Sequence, residues 1–189
     1  MYKLCKTEQS ANRQRLLEEG LLLAMSSKRY EEITVCDLCD QMGIPRKSFY
    51  RYFSSKDGAL YALIDDTLLE FEQTCGFLSG TGYQDPDLKG FYEFWYRHRL
   101  LLDVLAKSGL GGILTARAIT KAQTEYNVSS RVTDVSPQVR HFSVSFGICG
   151  LMCIMGQWHA GGCRETPEEM AAVTEQILST PLVHLVGKN

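Results

Sequence analysis

Between Gly43 and Asp57 the chain reads G-I-P-R-K-S-F-Y-R-Y-F-S-S-K-D, with four cationic residues, four aromatics and no acid before the last position. Arginine and lysine can donate to guanine O6 and N7 in the major groove of DNA, which is direct base readout. Hydroxyls, lysines and helix N-termini suit phosphates, where they set register without reading sequence. If this stretch is a helix, Phe49 and Phe53 lie four residues apart on one face and are expected to be core anchors. Arg46, Lys47, Ser48, Tyr50 and Arg51 then point outward. Arg46 and Lys47, with Ser48 and Arg51 behind them, are the candidate base contacts. Thr34, Tyr50, Tyr52 and Lys56 are the candidate phosphate contacts.

Other residues with chemical potential are weaker candidates. Cys36 and Cys39 form a C-x-x-C, yet no second pair completes a four-ligand zinc site, so Cys39 reads as small core packing. Cys36 is left as a place where oxidation could weaken a DNA contact. Cys149 and Cys153 share a helical face inside F-G-I-C-G-L-M-C-I-M-G, where soft and small residues fill a helix interface. No metal or cofactor is called for. The segment F-Y-E-F-W-Y-R-H-R, Phe91 to Arg99, brings five aromatics next to Arg97, His98 and Arg99, and Trp95, His98 and Trp158 are the candidates for a small-molecule pocket. No Ser/His/Asp arrangement, phosphate-cradling glycine loop or carboxylate pair stands out, so nothing points to an enzyme.

These residues need elements to position them. Apolar residues at three- and four-residue spacing from Gln9 to Met25 predict a first helix, broken at Ser26 to Tyr30. Thr34 with Asp37 predicts a capping box opening a second helix, which Gly43 ends. A third helix can start at Pro45, whose missing N–H costs nothing there. Ser54, with Asp57, predicts the cap of a long fourth helix carrying Leu60, Leu63, Ile64, Leu68 and Phe71. Gly76 to Pro86 reads as a connection, and helices are expected over Asp87–Lys107, Leu110–Tyr126, Pro137–Ala160 and Pro167–Thr180. No strand alternation or internal repeat appears. The run Val144 to Trp158, with Ser145, three glycines and Gln157, is too short to cross a bilayer and reads as a buried helix.

Composition agrees. A chain of 189 residues with 44% hydrophobic and 22% charged residues is globular, and its net charge of −2 conceals a dipole. Residues 1–56 carry ten Lys/Arg against seven Asp/Glu, whereas residues 57–189 carry ten against fifteen. The polar start M-Y-K-L-C-K-T-E-Q-S is not that of a secretory signal, and seven cysteines without framework spacing fit reduced thiols, so a cytoplasmic protein is expected.

Two helices around a glycine turn, the second short and basic, form the helix-turn-helix pattern. Residues 33–60, I-T-V-C-D-L-C-D-Q-M-G-I-P-R-K-S-F-Y-R-Y-F-S-S-K-D-G-A-L, resemble without a gap the amino-terminal domain of the TetR family of bacterial transcriptional regulators. Cys36 and Cys39 depart from that pattern, the second replacing a usual alanine. The resemblance implies an all-α fold: a DNA-binding domain at 1–56, and a long fourth helix leading into an effector-binding and dimerisation bundle at 57–189. It implies a homodimer on a palindromic operator, a small-molecule effector and no membrane, and it favours a ligand-responsive repressor. The Pro137–Ala160 helix, apolar nearly all round and with glycines at 147, 150 and 156 that permit close approach, and the Pro167–Thr180 helix are the expected dimer contacts. Near the C-terminus, G-Q-W-H-A-G-G-C-R-E-T-P-E-E-M resembles TetR-type regulators related to dihydroxyacetone kinase control, which keeps open an activator with a protein partner. A cysteine-based redox sensor is the remaining alternative.

Overall fold

Thr7 accepts a hydrogen bond from the Ser10 backbone N–H and so starts α1 (Glu8–Ser27). This is a computed structural model, which describes Tyr2 and residues 7–76, 87–128 and 136–180. The remaining helices are α2 (Val35–Gln41), α3 (Arg46–Tyr52), α4 (Lys56–Cys75), α5 (Leu88–Arg97), α6 (Arg99–Lys107), α7 (Gly111–Val128), α8 (Pro137–Ala160) and α9 (Pro167–Ser179). Apart from an isolated bridge between Tyr2 and Phe53, no β pairing occurs among the described residues. The fold is all-α, as expected, and the expected connection beyond Gly76 lies outside the described residues.

The chain divides into two compact units, the first made of Met1–Glu70 with Asp103–Leu114, the second of Phe71–Leu102 with Thr115–Asn189. Most of α4 belongs to the first unit, because Leu60, Ile64 and Leu68 are buried there with Leu21, Met25, Leu38, Phe49 and Phe53. A later segment joins the same unit through polar contacts: Ser108 Oγ accepts from the Tyr30 N–H at 3.1 Å, and Lys107 Nζ donates to the Ser26 carbonyl at 3.3 Å.

Three boundaries depart from expectation. Ser55, not Ser54, caps α4, accepting from the Gly58 N–H at 3.1 Å, while Asp57 is drawn away to accept from the Tyr30 hydroxyl at 2.6 Å. The expected helix over Asp87–Lys107 is two, parted at His98, whose backbone N–H reaches back to the Phe94 carbonyl as the cap of α5. The run read as a buried helix, within α8, is not buried as a whole. Leu151, Met152, Met155 and Trp158 are covered, but Phe146 is 72% exposed and Cys149 and Cys153 are exposed as well. The helix is long and apolar enough to cross a membrane by length and composition.

Inside the first unit sits a carboxyl pair that sequence did not flag. Glu18 on α1 is buried, accepts from Gln14 Nε2 at 2.9 Å and shares a hydrogen bond with Asp66 on α4. Burial, reinforced by the Asp66 charge and only partly offset by Gln14 and Arg15, pushes the Glu18 carboxyl up from 4.5 to about 8. Burial also raises Asp66. The folded protein thus keeps a proton that the unfolded chain releases above about pH 4.5. For this site, stability is complete at low pH and is lost as pH rises from about 4.5 to about 8. The loss is expected to be roughly 2–4 kcal/mol, and Glu18→Gln should abolish it by keeping the hydrogen bonds without an ionisable proton. Urea unfolding at pH 5.5 and pH 8 checks this; an unchanged pH slope in the variant would dismiss the assignment.

Candidate nucleic-acid interface

The basic stretch is positioned by two short helices and the turn between them. Thr34 caps α2 with a complete box: its hydroxyl accepts from the Asp37 N–H at 3.1 Å, and the Asp37 carboxylate accepts from the Thr34 N–H at 2.8 Å. Those hydrogen bonds hold the Asp37 carboxyl below its ordinary range. At the other end Gly43 takes φ +63°, the left-handed region open to glycine, and lets the chain turn. The Ile44 N–H then closes back on the Cys39 carbonyl at 2.9 Å. Pro45, at φ −66° and ψ 142°, is the N-cap rather than the first residue of α3. Its carbonyl accepts from the Ser48 N–H at 2.8 Å.

Helix α3 is divided as its spacing dictates. Phe49 and Phe53 are 0% and 1% exposed, with ring centroids 5.3 Å apart, and anchor the helix. Arg46, Lys47, Tyr50 and Arg51 are exposed, and Ser48 is half-buried. Among the described residues, no ion pair or side-chain hydrogen bond engages Arg46, Lys47 or Arg51, and no acid stands in the first turn. The outward face is therefore cationic and open. It can donate to base edges or phosphates without first breaking internal contacts.

The phosphate candidates sit less uniformly. Thr34 and Tyr50 lie at the surface, although the Thr34 hydroxyl is already shared with Asp37, to which it donates at 2.7 Å. Tyr52 is buried beside Phe53. Lys56 is half-buried: its ammonium donates to the Tyr30 carbonyl and, at 2.6 Å, to the Ile33 carbonyl, and stands 4.1 Å from the centre of the Tyr30 ring. Lys56 thus ties the start of α4 to the segment entering α2. Tyr30 was missed from sequence. Its ring meets Lys56, its hydroxyl meets Asp57, and burial with that carboxylate drives its own ionisation far up.

The C-x-x-C resolves into two environments. Cys39 is buried, and burial raises its thiol, which makes it unreactive, whereas Cys36 is half-buried. Among the described residues no group of three or more His, Cys, Asp or Glu side chains could hold a metal ion.

No protein-family model matches the sequence. No curated protein matches it significantly. Solved structures do match. One is the TetR-family repressor AlkX from Dietzia sp. strain DQ12-45-1b, implicated in biodegradation of n-alkanes. It is 15% identical, with 86% of this chain and 93% of that one covered, at a TM-score of 0.54. Another is the fatty acid degradation regulator FadR from Bacillus halodurans, 14% identical, with 93% and 96% covered, at a TM-score of 0.50. The chain has the TetR-type fold.

In this TetR-type fold the second unit holds the other candidates, and they do not converge. Trp95 is buried against Phe71, Phe91 and Phe94, at centroid distances of 6.2, 6.4 and 5.4 Å. Trp158 packs instead against Tyr92 and Tyr96, and its Nε1 donates to the Glu165 carbonyl at 3.0 Å. His98 stacks on Phe94 at 4.1 Å, with Nδ1 2.9 Å from the Phe94 carbonyl. α5 and α9 pack together, and the buried Tyr92 hydroxyl meets the Thr174 hydroxyl at 2.6 Å. The Trp95 Nε1 is buried without a hydrogen-bond partner, a state that costs about 1–3 kcal/mol. The expected T-P-E-E cap of α9 is present, Thr166 and Glu169 forming a reciprocal box.

Proposed function

We propose that this protein is a sequence-specific DNA-binding transcriptional regulator, a cytoplasmic homodimer acting as a ligand-responsive repressor. The observation that carries the reading is α3, a helix held by Phe49 and Phe53 that offers Arg46, Lys47 and Arg51 to solvent, unpaired among the described residues. A merely solvated surface helix would commonly have its cations interleaved with acids. This one has none in its seven residues. The TetR-type fold, shared with a TetR-family repressor, supports a regulator over an enzyme.

Exposed surface on α8 supports the dimer. Val139, Phe142, Phe146, Cys149 and Cys153 recur at three- and four-residue intervals along its exposed side. A Cβ built on Gly147, Gly150 or Gly156 meets nothing within 4 Å, so those glycines leave room for a second helix to approach closely. A membrane is the poorer cover, because the other face of the same helix is committed to protein through Leu151, Met152, Met155 and Trp158. In a twofold dimer, two copies of α3 would enter successive major grooves about 34–36 Å apart, which requires a pseudo-palindromic operator. Effector control needs unequal ligand affinity in the DNA-competent and DNA-incompetent dimers, and by linkage DNA then changes ligand affinity by the same factor.

The test is DNA binding by fluorescence anisotropy, first on random duplex across a salt series, then on sites recovered from genomic DNA. Arg46→Ala and Lys47→Ala are expected to relax sequence preference, each costing about 1–3 kcal/mol on the specific site. Lys56→Ala is expected to weaken all sequences alike, through loss of a phosphate contact and of the anchor to Tyr30 and Ile33. Equal losses on specific and random DNA for all three variants would defeat the division of roles, and salt-independent binding would defeat the function.

A further inference from the structure

Among the described residues, the core of the second unit contains one polar atom that the fold leaves without a partner, the Trp95 Nε1–H. Its neighbours in the same core are satisfied. Trp158 Nε1 donates to the Glu165 carbonyl, the Tyr92 and Thr174 hydroxyls meet each other, and His98 Nδ1 lies against the Phe94 carbonyl. Buried donors are almost always paired, by protein, by water or by a ligand. An orphan in an otherwise satisfied core therefore marks a place where an acceptor belongs.

The surroundings state what kind of acceptor. Phe71, Phe91 and Phe94 line the indole, and Thr174, already paired with Tyr92, is the buried polar side chain of this unit among the described residues. Among the described residues of this unit no buried Lys or Arg is present to neutralise an anion, and no buried Asp or Glu to neutralise a cation. A charged guest would lose its hydration without compensation. An uncharged carbonyl or ether on an apolar body would lose little and gain the indole N–H. From Trp95 the ring contacts run through Phe94 to half-buried His98, at the break between α5 and α6.

We propose that Trp95 is the polar anchor of a buried site for an uncharged, apolar molecule with a hydrogen-bond acceptor. This deepens the reading of the second unit as the effector-binding half and rests on it.

The two tryptophans make the test direct, because ¹⁵N-labelled full-length protein shows two indole N–H resonances, assigned with Trp158→Phe. Three probes of similar size are titrated without DNA: acetophenone with a carbonyl acceptor, ethylbenzene with none, and benzoate with a charge. Acetophenone is expected to move the Trp95 indole proton downfield and to bind about three- to tenfold more tightly than ethylbenzene, with benzoate excluded. In Trp95→Phe the preference for ketone over hydrocarbon should fall to about one. An unmoved Trp95 resonance, equal affinities for ketone and hydrocarbon, or exchange of the probe-free Trp95 N–H with a resident water would overturn the proposal. The resonance measurement uses the parent protein, so it stands even if Trp95→Phe does not fold. DNA binding is measured apart from these titrations: its failure would remove the regulator and leave the site intact.

Discussion

Phe146→Glu is expected to leave the subunit folded and to convert the proposed dimer into a monomer. Phe146 is 72% exposed in the single chain, the largest exposure of any big apolar side chain on α8, and it lies midway along the stripe from Val139 to Cys153. A carboxylate there costs nothing in an isolated subunit, since water already surrounds the position. In a twofold interface the same change buries two like charges facing apolar surface, once from each copy. Unpaired buried charge of this kind costs several kcal/mol, enough to weaken association at least a hundredfold. Sedimentation equilibrium at micromolar concentration reads the result, with circular dichroism confirming an intact fold. Operator affinity should fall with it, because a monomer can place only one α3 on the DNA and forfeits the second half-site. A Phe146→Glu protein that remains dimeric would move the interface elsewhere and would leave the exposed stripe unexplained.

Phe49→Ala should do the reverse, damaging the subunit before any question of assembly arises. The ring is fully buried between Phe53 and the edge of Tyr50, at 5.3 and 5.7 Å, in a helix of only seven residues. So short a helix has no stability of its own and depends on this packing. Removing a buried phenyl typically costs 3–5 kcal/mol, a large share of the roughly 5–15 kcal/mol that holds a domain of this size. Urea unfolding followed by circular dichroism is expected to show an early transition for the first unit. Arg46→Ala serves as the control, because its exposed side chain should cost DNA affinity without stability. A Phe49→Ala midpoint within about 0.5 kcal/mol of the parent would mean that α3 is not anchored through this ring.

The contrast between Phe49 and Arg46 shows what was legible in advance. A helix has a period of 3.6 residues, so Phe49 and Phe53 had to share one side of α3 and Lys47 and Arg51, themselves four apart, had to find another; Arg46 is exposed because it opens the helix. Caps are equally local. Thr34 with Asp37, Gly43 and the Ser-Pro and Thr-Pro starts of α8 and α9 act within four residues of chain, and all appear where their residue types require. The recognition unit, which is built almost wholly from such short-range rules, could be read from its letters.

Contacts across long stretches of chain were decided by the tertiary structure. Nothing near Lys56 in sequence says that its ammonium will be held by two carbonyls 26 and 23 residues earlier, and nothing near Asp57 says that Tyr30 will claim it from the cap of α4. Glu18 and Asp66 look like surface acids on two amphipathic helices until packing buries the first, half-buries the second and joins them in a hydrogen bond. Trp95 and Trp158 read alike as aromatic core. Only the fold hands Trp158 a carbonyl while leaving Trp95 without one, because a hydrogen bond depends on angstroms between elements and the sequence records only the order along them.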